Sequence, residues 1–247
     1  MKIATFNIRC HNDKNGHSIE ERAPRLFKVL ESCSADIIAL QEARPVWMSI
    51  LEERYSKDYY IFNKYRDLNA PESCPILFKK DRFNLLDKGY FWFSKTPWVE
   101  SFGNDTICNC KRICEWVYLK DKDTKKQFYI LNLHFGFGDS YQVESVRLLK
   151  QTTDALATDN VVICGDFNMT TDSLGYKEAV KYYTDVNTVT ANYKGVTFHN
   201  YGNSDGSHID YFFFKKGGLN PIKYKLLDET FDRKYPSDHY GILVEFN

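Results

Sequence analysis

Residues 161–168, Val-Val-Ile-Cys-Gly-Asp-Phe-Asn, form an apolar run that stops at a glycine and then presents a carboxylate and an amide two positions apart. Side chains alternate along a strand, so Asp166 and Asn168 emerge on one side while Phe167 turns back toward a core. Asp and Asn also cluster at strand ends simply to make turns, so the run gains weight from its company. Four other apolar runs carry polar groups able to bind a metal or handle a phosphate: residues 3–7 with Asn7, 37–42 with Glu42, 129–134 with Asn132 and His134, and 208–213 with Asp210. Ser237-Asp238-His239-Tyr240 stands just before the last apolar run. Segments so alike in design point to a common site.

The chain has 247 residues, and 43% of them are hydrophobic, with 17 Tyr and 18 Phe favouring sheet. No stretch has the composition of a linker, a repeat or a low-complexity tract, so one domain spanning 1–247 is expected. The 33 basic and 33 acidic side chains cancel, which removes the global field that duplex nucleic acid binding usually needs. The Lys215, Lys216, Lys223 and Lys225 group reads as a solvated face. Met1-Lys2 leads straight into a strand pattern and no run has the length of a membrane span, so a cytoplasmic protein without membrane contact is expected, with no obligate protein partner evident. The seven Cys then read as reduced thiols, and Cys108, Cys110 and Cys114 lack the paired spacing of a zinc site.

Strand patterns cover 2–9, 36–43, 59–65, 74–80, 115–120, 127–135, 160–167, 195–200, 208–215 and 240–246. A helix is expected after the Ser18/Glu21 capping box, with Pro24 in its first turn or at a kink. Further helices are expected over 141–156 and 173–183, and 120–126 reads as a charged hairpin connection. The pattern predicts an α+β fold, a four-layer α/β/β/α sandwich of two mainly antiparallel sheets with outer helices and a site at one edge.

In order, Thr-Phe-Asn-Ile (5–8), Leu-Gln-Glu (40–42), Pro-Ile-Leu-Phe (75–78), Asn-Leu-His (132–134), Gly-Asp-Phe-Asn (165–168), Ile-Asp-Tyr (209–211) and Ser-Asp-His (237–239) resemble the endonuclease/exonuclease/phosphatase family of DNase I-like, metal-dependent phosphoesterases. Residues 91–97, Arg112-Ile113 and Glu115-Trp116 resemble a subgroup of mostly uncharacterised bacterial members. Leu133, Gly136 and Pro71 depart from the family pattern and alter the rim of the expected pocket.

The resemblance implies hydrolysis of a phosphomonoester or phosphodiester by direct water attack, with Mg²⁺ as cofactor and Mn²⁺ as a substitute. It assigns Glu42, Asp238 and Asn7 to the metal; a cap for the following helix is the alternative for Glu42. His239, fixed by Asp210, would contact the scissile phosphate, with Asp166 positioning water and Asn168 donating to a phosphate oxygen. His134, oriented by Glu72, would serve the leaving-group side. Arg112 reads equally as a phosphate clamp or an interstrand ion pair, and Asn132 as a substrate contact. Among Phe91, Trp92, Phe93, Trp98, Phe135 and Phe137, most are expected in the core and Trp98 is the best base-stacking candidate. The neutral charge favours a small phosphorylated molecule or short single-stranded nucleic acid; a DNA or RNA endo/exonuclease and an inactive binding protein of the same fold are the alternatives.

Overall fold

A computed structural model of the chain describes every residue except 106 and 204. In chain order the elements are β1 (Lys2–Asn7), α1 (Ile19–Cys33), β2 (Ile37–Gln41), α2 (Pro45–Tyr55), β3 (Tyr59–Phe62), β4 (Ile76–Lys79), β5 (Phe83–Trp92), β6 (Ile113–Asp121), β7 (Gln127–His134), α3 (Asp139–Asp154), β8 (Val161–Asp166), α4 (Leu174–Ala179), β9 (Thr184–Asp185), α5 (Val186–Val189), β10 (Asp210–Phe214), β11 (Pro221–Leu227) and β12 (Gly241–Phe246). One sheet runs β11-β12-β1-β2-β4-β3 and the other β5-β6-β7-β8-β10-β9. Each is antiparallel except for a single central parallel pair, β1 with β2 and β7 with β8.

Three apolar layers hold the sandwich together. Ile3, Ile37, Ile76, Val117, Ile130, Val162, Phe212 and Val244 face each other between the sheets. The opposite faces of the first sheet, through Phe6, Ile38 and Leu40, pack on Leu26, Val29, Trp47 and Leu51 of α1 and α2. Leu131, Ile163 and Phe213 of the second sheet meet Val146 and Leu149 of α3. The expected four-layer α+β architecture is therefore the one observed.

The topology explains why the polar residues meet. The parallel strands β1 and β2 end together, as do β7 and β8, and register pairs Asn7 with Gln41 and His134 with Asp166. Strand β10 runs against β8 and begins opposite that end, with Asp210 paired to Asp166. Strand β12 runs against β1, so His239, just before it, arrives at the same edge. Gly165 fits because a Cβ there would lie 2.0 Å from the Leu133 carbonyl oxygen.

Several expectations need correction. Residues 195–200 form isolated bridges from Phe198 to Ser207 and His239, followed by a 3₁₀ turn over Asn200–Gly202, and not a strand. The unexpected α2 starts with Pro45 at its first turn and buries Trp47, Met48, Leu51 and Tyr55. Strand β5 was hidden by its exposed middle and a register shift between Leu85 and Asp87. The third expected helix shrinks to α4. Cys108 and Cys110 are joined in a disulfide, so those two are not free thiols, while Cys114 is buried inside β6. Among the described residues no helix is long and apolar enough to cross a membrane.

Asn132 illustrates what the strand pattern conceals. It is fully buried between the sheets, accepting from Gln41 Nε2 at 2.6 Å and donating to the carbonyls of Leu40, Cys74 and Pro75 at 2.7, 3.0 and 3.1 Å. It pins β7 to the other sheet and is closed off from substrate, contrary to the sequence expectation. Asn132→Ala would strand these partners, so a loss of about 2–3 kcal/mol is expected, read as a lower denaturant midpoint at unchanged slope.

Candidate active site

A cavity of about 550 Å³ opens at the shared strand ends and is lined by Glu42, Glu72, Arg112, His134, Asp166, Asn168, Asp238 and His239, together with Arg9, Cys10 and Phe137. Glu42 and Asn168 hold left-handed backbone conformations at φ 64° and 49°, as does Arg9 at 59°. Such positions cost on the order of 1 kcal/mol or more in a non-glycine residue, and here they aim the strand-end side chains into the cavity.

His239 Nδ1 lies 2.9 Å from Asp210 Oδ2, and both residues are buried. Burial alone would lower the imidazole pKa, but Asp210 first, then Asp166 and Asp238, push it up to about 10. His239 is therefore an imidazolium at neutral pH, with Nε2 3.8 Å from Asp166 Oδ2. Burial and the nearby Asp210 charge push Asp166 up to about 7, the range suited to a base at neutral pH. Asn7 Nδ2 bridges Asp166 Oδ2 at 2.9 Å and Glu42 Oε1 at 3.0 Å.

Glu42 does not cap α2, whose N-cap is Arg44. Its second oxygen accepts from the Cys10 amide at 2.8 Å. Burial pushes its pKa up, but hydrogen bonds from the Cys10 amide and Asn7 hold it below the usual carboxylate range. The Asp238 carboxyl is raised by burial and by the charge of Glu42, a repulsion that a cation between them would relieve. Two carboxylates lining one cavity suit a hard cation such as Mg²⁺. Asn7 is less suited, since the Arg9 amide occupies its Oδ1 at 3.0 Å and it turns N–H groups toward Glu42 and Asp166. The side-chain atoms of Asp166, Asp210 and His239 also fall within 4.8 Å of one another, although the Asp210 bond already engages His239 Nδ1.

Other expected roles change. His134 Nδ1 is 3.8 Å from Glu72 Oε1 and has no hydrogen-bond partner among the described residues, with Glu72 lying against Arg66 Nη1 at 2.6 Å instead. Burial, then the charge of Arg112, lowers the His134 pKa well below its usual value, so the ring is neutral. The two amide hydrogens of Asn168 go to His134 Nε2 at 3.0 Å and the Phe135 carbonyl at 2.9 Å, which makes it a positioner of His134 in place of a phosphate donor. Arg112 forms no interstrand ion pair among the described residues. Trp98 is 68% exposed and lines a separate surface groove with Trp116 and Leu148, away from the cavity. Phe91, Phe93 and Phe135 are core, and only Phe137 reaches the site.

Sequence reasoning missed Arg9, Cys10 and Arg66. Arg9 Nε sits 3.0 Å from Asp13 and 3.6 Å from Asp238, and its loop is held by buried Arg22, which donates to the carbonyls of Arg9 and His11 at 3.0 and 2.7 Å. Arg9 follows Asn7 by two positions, but nothing in the local pattern marks it as turned inward.

The DNase I-like sandwich with this cluster at its edge defines a class, and the chain belongs to the Endonuclease/Exonuclease/phosphatase family, whose profile matches residues 4–239. It is thereby a metal-dependent phosphoric ester hydrolase. Similar solved structures include an endonuclease/exonuclease/phosphatase family protein of Bacteroides thetaiotaomicron (27% identity, TM-score 0.92, covering 100% of this chain and 97% of that one). Another is the mannosyl-6-phosphatase Bt3783 of the same organism (26% identity, TM-score 0.88, covering 100% and 99%). The Candida albicans CCR4-Not 3'-5'-exoribonuclease subunit Ccr4 is 22% identical over 90% of this chain, which spans only 36% of that protein.

Proposed function

We propose that the chain is a Mg²⁺-dependent phosphoesterase, with Mn²⁺ as a working substitute, that hydrolyses a small phosphorylated molecule or the end of a short single-stranded nucleic acid. The observation that carries this reading is the buried Asp210–His239 pair, 2.9 Å apart, beside a carboxylate with a pKa near neutrality. A cation held by Glu42 and Asp238 would neutralise phosphate charge and the departing oxygen. His239, kept protonated by Asp210, donates from Nε2 to a phosphate oxygen. Asp166, held by Asn7, takes a proton from the attacking water. His134 is neutral and fixed by Asn168 through Nε2, so Nδ1 carries its proton.

The net charge of zero and the phosphatase name of a similar structure favour a small substrate. The exoribonuclease relative supports the second reading, a nuclease acting on single strands. Sugar phosphates, inositol phosphates, nucleotides, single-stranded DNA and RNA, and duplex, each assayed with Mg²⁺ and with chelator, decide between them. Chelator-resistant turnover would overturn the metal assignment.

A pH profile tests the roles. Asp166 works unprotonated and His239 protonated, so kcat/KM is expected to rise through about pH 7 and fall through about pH 10 in the ionisation states described. A cation nearby stabilises the Asp166 carboxylate, so the acid limb should move lower as Mg²⁺ is raised. A limb insensitive to Asp166→Asn would refute the base assignment.

A further inference from the structure

We propose that the Cys108–Cys110 disulfide is a reversible redox switch in one wall of the cavity, opened by a dithiol reductant. The inference rests on the hydrolytic reading above for the activity that it regulates. Five of the seven Cys are buried thiols, whereas Cys108 and Cys110 are half-buried and joined to each other across a separation of two residues. A bridge so short removes little freedom from the unfolded chain, so it adds less stability than one closing a long loop. What it restrains is a segment beside the cavity. Buried Asp105 accepts through Oδ1 from the amides of Ile107 and Cys108, both at 3.0 Å, and through Oδ2 from the Phe137 amide at 3.2 Å. Gly136 permits this approach, because a Cβ there would lie 2.4 Å from Asp105 Oδ2. Arg112 Nη2 lies 3.6 Å from the Cys108 sulfur, and Arg112 and Phe137 both line the cavity.

Opening the bridge is a balanced exchange. One thiolate of the reductant attacks Cys110 Sγ, the Cys108–Cys110 bond breaks, and Cys108 leaves as a thiolate beside the Arg112 guanidinium, which stabilises it. The second thiol of the reductant then attacks the reductant sulfur of the mixed disulfide and releases Cys110. The reductant departs as a disulfide, its two electrons now on the cysteines and its two protons on Cys110 and in water. A disulfide sulfur is a weak acceptor, whereas the thiolate is an anion that draws Arg112 toward Cys108. At the same time the Cys108 end of the Asp105 anchor loses its tether. Both changes reach Phe137, through the Asp105 carboxylate and through its ring, which lies 5.9 Å from the Arg112 guanidinium. Asp210 and His239 bond to each other and not to this segment, so reduction alters substrate fit more than the chemical step.

The test poises the protein in mixtures of reduced and oxidised dithiothreitol, maps alkylation of Cys108 and Cys110 by mass spectrometry, and assays p-nitrophenyl phosphate with Mg²⁺ at each poise. Reduction should lower kcat/KM at least about fivefold, mainly through KM, along the same curve as the labelling of this pair. Amide hydrogen exchange at Ile107, Cys108 and Phe137 should quicken on reduction, since Asp105 holds all three. Cys110→Ser, which cannot close the bridge, should start at the reduced value and lose nothing more to reductant; if it does not fold, the wild-type curves decide. A bridge that resists reduction in the folded protein, a kcat/KM that is unchanged or raised on reduction, or a Cys110→Ser protein that still responds as the wild type does overturns the switch. Quickened exchange at those amides in a protein hydrolysing no phosphoester would overturn the hydrolytic reading and leave the switch standing.

Discussion

Asp210→Asn and His239→Ala are each expected to lower kcat about a hundredfold or more, and the double variant to lose little beyond the worse single. Asp210 Oδ2 is 2.9 Å from His239 Nδ1 in a buried setting, and its charge is the leading reason the imidazole keeps its proton up to about pH 10. Without that charge, burial favours the neutral ring, which can no longer present a charged donor to the phosphate. Once His239 is gone, Asp210 has nothing left to orient, so the two losses cannot multiply. The measurement is kcat for both singles and the double at saturating Mg²⁺. If the penalties multiply, Asp210 acts independently, and its membership of the tight Asp166–Asp210–His239 group would favour a direct role at a cation.

Glu42→Gln is expected to leave the fold almost unchanged and to remove most Mg²⁺-dependent turnover, by about a hundredfold or more. Gln matches the shape of Glu42 and can still accept from the Cys10 amide, 2.8 Å away. It removes one of the two anionic donors at the proposed cation position, and it relieves the like-charge pressure on Asp238. Mg²⁺ titration followed by calorimetry should show weakened binding, and the thermal midpoint without metal should fall modestly, since the lowered pKa of Glu42 means that the fold favours its charged form. Unchanged Mg²⁺ affinity and turnover would place the ion elsewhere, with the Asp166, Asp210 and His239 cluster as the next candidate.

The sequence by itself determined the sandwich and pointed to many, though not all, of the side chains that line the cavity. Apolar strands that end in Asn7, Glu42, His134 and Asp166 must bury one part and expose the other, so their polar ends had to gather wherever the strands ended together. Asp210 and His239 could be added because short-range order marks them at strand starts. Strand β5 and helix α2 escaped because an exposed edge strand and a proline-led helix carry weak periodicity.

Only the tertiary structure decided how the gathered groups divide their work. Asn132 reads like a site residue in its strand, yet the second sheet covers it, and Asn168 turns its amide to His134. Glu72 was expected on His134 and lies against Arg66, leaving Arg112 buried without an ion-pair partner among the described residues. Hydrogen-bond partners and electrostatic neighbours are set by which strands lie side by side and how the connecting loops fold back. Contacts between residues 159 positions apart, such as Asn7 with Asp166, have no local signature in the chain.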